Sequence, residues 1–199
     1  MLYIALAPVL RPVTSLIGIM MVDDSIDLGS TDSVDLFAQK QTPDDPNQET
    51  VKASAITFPA VGDRFARITI EGVEGEAPVY FGDFDAQLQA GIGQYNGSLF
   101  PGCGGTALLS GHNNGYFHGL QHVDVGTRIT LETNYGTFVY ETVKTAVLNK
   151  DDKKAVDLAA KEENLVLYTC YPFDMLGLTP YRFFVYAKLV SGPRILLDQ

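Results

Sequence analysis

From residue 64 onward the chain is cut into apolar or β-branched runs of five to eight residues, each closed by residues that favour turns, and this leaves room for strands and little else. The runs are Phe65-Ala-Arg-Ile-Thr-Ile70, 77–81, 106–110, 128–133, 137–143, 165–169 and 183–190. The glycine-bearing segment 72–75 separates the first two, and Asn134-Tyr-Gly136 separates the fourth and fifth. Residues 83–90 read as a short helix with Asp83 as its N-cap. The polar, helix-favouring stretch 151–163 is placed over one end of the sheet. Gly91-Ile-Gly93 lacks the third glycine of a dinucleotide-binding fingerprint and reads as a turn. Seven or eight short strands with few helices predict a mainly β fold, a closed or nearly closed β-barrel.

Composition sets the boundaries of that fold. At 199 residues and 46% hydrophobic residues, the chain can bury one ordinary core with an extension to spare. A net charge of −10 argues against a nucleic-acid partner, which demands clustered Lys and Arg. Much of the acidity lies in residues 23–50, where Asp23, Asp24, Asp27, Asp32, Asp35, Asp44, Asp45 and Glu49 face only Lys40. With Pro43, Pro46 and several serines, this suits a solvated spacer, although residues 34–40 could form a short helix. The expected organisation is an apolar segment at 1–22, an acidic spacer at 23–55 and a folded domain at 56–199. The first segment is apolar apart from Arg11 and small hydroxyl residues, and Pro8 and Pro12 interrupt it. It reads as a membrane anchor or as a helix packed on the domain.

Chemistry concentrates between residues 165 and 182. The apolar run Leu165-Val-Leu-Tyr-Thr ends in Cys170, and Arg182 follows twelve positions later at the start of the next run. A guanidinium near a thiol favours the thiolate, or holds the oxyanion formed when the thiolate attacks a carbonyl. Of the three histidines, His112 is the best-placed base, just past the apolar run Ala107-Leu-Leu-Ser-Gly. Taken singly, Cys170 is an ordinary small core residue and His112 an ordinary loop histidine. Together they form a nucleophile, a base and a cation at strand ends.

The blocks Leu165-Val-Leu-Tyr-Thr-Cys170, Tyr181-Arg182-Phe-Phe-Val-Tyr-Ala and Thr106-Ala-Leu-Leu-Ser-Gly-His112 resemble, in order, the cysteine strand, the arginine strand and the Gly-His segment of sortases. The resemblance covers about residues 60 to 190; Cys-Tyr-Pro-Phe is most similar to class D, and Gly-His-Asn is closer to class B. It implies a closed eight-stranded sortase-like β-barrel with a few short helices, and a cysteine transpeptidase of Gram-positive bacteria. On that reading Cys170 is the nucleophile, His112 the acid and base, and Arg182 the oxyanion or substrate holder. Ser110, Thr169 and Tyr171 are expected to line the substrate groove. The implied partners are surface proteins bearing Leu-Pro-x-Thr-Gly-like (LPxTG) sorting signals and an amine acceptor in peptidoglycan or a pilin. The implied location is the extracytoplasmic face of the cell membrane. No cofactor or metal is implied. The alternative is a catalytically silent β-barrel module that binds extended surface peptides.

The remaining candidates carry less. Cys103, in Pro101-Gly-Cys-Gly-Gly105, reads as a free loop thiol rather than a disulfide partner. His118 and His122 have a spacing that could join a metal on one helical face, but Gly119 interrupts it and no third ligand follows. Glu71, Glu74 and Glu76 form no calcium loop and read as solvated.

Overall fold

The computed structural model describes residues 33–39, 49–175 and 179–196. In chain order the strands are β1 (Thr50–Lys52), β2 (Arg64–Ile70), β3 (Ala77–Phe81), β4 (Ile92–Gln94), β5 (Thr106–Ser110), β6 (Arg128–Thr133), β7 (Thr137–Asn149), β8 (Asn164–Tyr171), β9 (Tyr181–Ser191) and β10 (Arg194–Leu196). One helix, α1 (Asp85–Ala90), and two 3-10 turns (Ala53–Ala55 and Tyr116–His122) complete the described elements. Eight strands close into a barrel in the order β2-β3-β4-β5-β8-β9-β7-β6, and β1 pairs with β10 outside it. The expected eight-stranded barrel is present.

Alternation along the strands decides what lies inside. Phe65, Ile68, Ile70, Val79, Leu109, Leu131, Phe138, Leu165, Leu167 and Val185 fill one continuous core. Each fully buried side chain of this kind contributes roughly 1.5 to 3 kcal/mol. The sheet is covered on its outer side as well: Leu108, Val166 and Phe184 pack with Ala155, flanked by Tyr95, Leu148, Tyr168 and Tyr186. That second layer explains why β5 and β8 read as unbroken apolar runs rather than as alternating ones. It also fixes the directions along β8. Leu165, Leu167 and Thr169 point in, and Val166, Tyr168 and Cys170 point out.

Several expectations are corrected. Residues 151–163 form successive turns instead of a helix. The Asp152 and Asp157 carboxylates accept from the backbone N–H groups of Lys154 and Ala159, both at 2.9 Å, and so compete with helical hydrogen bonds. Gly91-Ile-Gly93 enters β4 rather than turning. A Cβ at Gly93 would lie 2.7 Å from the Gly82 carbonyl oxygen and 2.8 Å from Asp83 Cα, so only glycine lets those backbones meet. Helix α1 begins at Asp85 with Phe84, not Asp83, at its cap. The bridge between Gly82 and Gln94 holds the preceding residue to the sheet.

In place of the short helix expected at 34–40, the described part of that segment is a turn closed by Gln39 N–H on Leu36 C=O at 3.0 Å. The described parts of the expected spacer, 33–39 and 49–55, lie on the barrel. Leu36 and Val51 are each 7% exposed, and Asp35 pairs with Arg64 at 3.1 Å. Burying two apolar side chains offsets the solvation their acidic neighbours favour. No helix among the described residues is long and apolar enough to cross a membrane. The apolar segment 1–22 lies outside the described residues.

Candidate active site

Cys170 is delivered by the last turnward residues of β8, on the outward face, and is half-buried. Its direct partner across the antiparallel ladder is Arg182 of β9. Residues directly opposite in such a ladder project to the same side, with Cβ atoms about 4.5 to 5.5 Å apart. The strand register therefore brings thiol and guanidinium to one face. Nη1 of Arg182 donates to Thr179 C=O at 2.7 Å and to Tyr181 C=O at 2.9 Å. Among the described residues no carboxylate forms an ion pair with Arg182. Its charge is held by carbonyl dipoles.

The histidine arrives from the neighbouring strand. β5 runs parallel to β8 with Ser110 opposite Tyr168, so His112 and Cys170 each stand two residues beyond that pair. The ladder continues past the strand end: Gly111 N–H donates to Tyr168 C=O at 3.3 Å. Gly111 is required there because a Cβ would lie 2.7 Å from Ile92 Cδ1 and 2.9 Å from Phe117 Cδ2. The glycine of the Gly-His pair is thus a consequence of packing under the loop. His112 itself is exposed.

Three side chains were expected to line the groove. Ser110 is 6% exposed and stands beside Tyr168 on the outward face. Tyr171 is half-buried and packs edge-on against Phe173 at 5.8 Å. Thr169 does not line the groove. It is 1% exposed, points into the barrel and donates its hydroxyl to Gly111 C=O at 2.7 Å. Strand alternation imposes this, since Cys170 next to it points out. Thr169 fastens the histidine loop to the cysteine strand.

Two neighbours of the site escaped the sequence reading. Burial pushes the Tyr168 phenol up from its ordinary pKa, opposed by the Ser110 side chain, with Asp83, Arg182 and Cys170 acting at longer range. Tyr168 thus stays neutral and stacks on Phe184 at 5.6 Å. Asn113 is 7% exposed and its amide reaches three carbonyls in the turn after Cys170. The Gly-His-Asn string was visible, but nothing local marked where the amide would point.

Two depressions flank the His112 loop. One, of about 330 Å³, is bordered by His112, Gly115, Tyr116, Leu88 and Pro78. The other, of about 460 Å³, lies among Asn114, Gly115, His118, Phe173 and Asp174.

The other candidates fall elsewhere. Cys103 and Cys170 are both free thiols. Burial first, and then Glu163, push the Cys103 thiol up to about 11. His118 and His122 sit on a 3-10 turn, where residues four apart do not share a face. His118 instead holds Asn113 C=O through Nδ1 at 2.9 Å, which requires the proton on that nitrogen. Glu76 pairs with Arg67 at 3.0 Å.

A closed mixed barrel carrying a strand-end thiol, a cation opposite it and a histidine on the parallel neighbour defines a cysteine-dependent acyl-transfer site. The Sortase domain family model matches residues 68–190. The chain is 34% identical over 143 residues to Sortase D of Bacillus subtilis (strain 168), covering 72% of each protein. Among solved structures it is similar to the catalytic domain of B. anthracis SrtD, at 30% identity and TM-score 0.57 over 70% of this chain and 95% of that one. It is also similar to a Clostridium perfringens Sortase D5 transpeptidase, at 25% identity and TM-score 0.59 over 66% and 82%. The chain belongs to the sortase family of cysteine transpeptidases.

Proposed function

We propose that this sortase cleaves an LPxTG-like sorting signal through a thioester on Cys170 and passes the acyl group to an amine of peptidoglycan or of a pilin. The Cys170 thiolate attacks the carbonyl carbon of the signal's threonine, and the oxyanion that forms faces the Arg182 guanidinium. The bond from that carbon to the following residue breaks as His112 protonates the departing amine. An incoming amine then attacks the thioester and gives its proton to His112, and the thiolate leaves. The observation that carries this reading is the register that sets Cys170 opposite Arg182, with His112 equally far along the parallel strand. The depression bordered by His112 leaves room for a substrate to approach its imidazole. Family membership further suggests action at the extracytoplasmic face of the membrane, with residues 1–22 as the tether.

Intact-mass analysis after incubation with a panel of Leu-Pro-x-Thr-Gly-like peptides tests the reading. An acyl adduct on the wild type and none on Cys170→Ala is expected. Folded, reduced protein that forms no adduct and cleaves no peptide would overturn it.

A further inference from the structure

We propose that Asn113 is a positioning residue, which holds His112 in reach of Cys170 by clamping the turn after the cysteine to the loop that carries the histidine. The inference rests on the roles given to Cys170 and His112 above. Its geometry is independent of them. Nδ2 of Asn113 lies 3.0 Å from Pro172 C=O, 3.2 Å from Phe173 C=O and 2.9 Å from Met175 C=O. An amide nitrogen has two hydrogens, so one is shared between acceptors, and the amide oxygen cannot occupy that place against three carbonyl lone pairs.

The two segments joined are the two that carry the reacting groups. Asn113 follows His112 directly, and Pro172 stands two residues after Cys170. On the inner side Thr169, just before the cysteine, donates to Gly111, just before the histidine, at 2.7 Å. The pair is therefore braced from both flanks: the residue preceding the cysteine binds the residue preceding the histidine, and the residue following the histidine binds the turn following the cysteine. His118 secures Asn113 C=O at 2.9 Å and sets its ring edge-on to Phe173 at 6.0 Å. Among the described residues no hydrogen bond fixes the His112 ring itself, so its placement depends on its backbone. Proton exchange needs heavy atoms within roughly 2.6 to 3.2 Å. A misplacement of about 1 Å can cost on the order of 100-fold in rate.

Asn113→Ala removes the clamp, and the near-isosteric Asn113→Asp replaces the donors by oxygens that face the same carbonyls. Both are to be assayed for peptide cleavage, and for the rate at which iodoacetamide alkylates Cys170 from pH 5 to 9, with the modified cysteine assigned by peptide mapping. The alkylation arm needs no sorting signal, so it decides the matter even if no peptide is cleaved. The expected result is folded protein whose kcat falls at least tenfold while KM changes less than threefold. The rate profile of Cys170 alkylation should depart from that of the wild type in both variants. A folded Asn113→Ala protein with kcat within twofold of wild type, or with the wild-type alkylation profile, overturns the proposal. So does failure of both variants to fold, which would make Asn113 a determinant of folding only.

Discussion

The two cysteines stand beside opposite kinds of turn. Around Cys103 the organising group is an acceptor: the Glu163 carboxylate takes the N–H groups of Gly102 at 3.0 Å and Gly104 at 2.7 Å, and the Tyr140 hydroxyl at 2.8 Å. Around Cys170 the organising groups are donors, the Asn113 amide and the Arg182 guanidinium, both directed at carbonyls. Burial first, and then the Glu163 carboxylate, push the Cys103 thiol up to about 11. Opposite the Arg182 guanidinium, the oxyanion of a substrate attacked by Cys170 would be stabilised. Both thiols are half-buried and both are free, so neither exposure nor bonding state separates them. The groups that organise the surrounding backbone do: a carboxylate acceptor in one case, amide and guanidinium donors in the other.

The largest expected effect breaks the donor side. Arg182→Ala should lower kcat for thioester formation about 100- to 1,000-fold, the usual cost of losing an oxyanion donor, with the fold unchanged by circular dichroism. Arg182→Lys should recover only part of it, because an ammonium cannot grip two carbonyls and still present a planar donor. Single-turnover mass spectrometry reads both variants, and a loss confined to KM would reassign Arg182 to substrate binding.

Breaking the acceptor side should harm stability and spare chemistry. Glu163→Gln keeps the shape but loses the charge of three hydrogen bonds, at a cost of about 1 to 3 kcal/mol. For a chain of this size that is a fall of several degrees in Tm. Peptide cleavage at 25 °C should stay within twofold of wild type, and a tenfold loss would show that the two turns are coupled.

The smallest effect sharpens the contrast through pH. A thiol whose pKa is higher folded than unfolded contributes stability fully below about 9, and that contribution disappears as pH rises through about 11. Tyr135 and Tyr140, raised by burial, act in the same direction at still higher pH. After allowance for partial exposure, Cys103 alone is worth on the order of 1 kcal/mol. The Tm advantage of wild type over Cys103→Ala should therefore shrink by a few degrees between pH 8 and 10.5. A constant difference would place the thiol's titration outside the stability of the fold.

The barrel was legible because seven apolar or β-branched runs of five to eight residues, each closed by turn-favouring residues, suit short strands. What failed to show was whatever depends on distant partners. β4 has three residues, one of them Gly93, and exists because β3 and β5 hold it from either side. β1 and β10 pair across most of the domain and are too short to carry a pattern. Cys170, His112 and Arg182 stood out as candidates because each lies within two residues of the end or start of an apolar run. Thr169 was misplaced although alternation held the answer: one residue before an outward cysteine, it had to point inward. Asn113 could not be placed, because its acceptors lie 59 to 62 residues away.

The parallel pairing of β1 with β10 has a mechanical consequence. Thr50 lies opposite Arg194, Val51 opposite Ile195 and Lys52 opposite Leu196, so the strand that leads into the barrel and the strand that follows it run in the same direction. Traction on residue 49 against residue 197 would load this ladder in shear, straining all its hydrogen bonds at once instead of one after another. The barrel would be shielded from that load until the pair slipped.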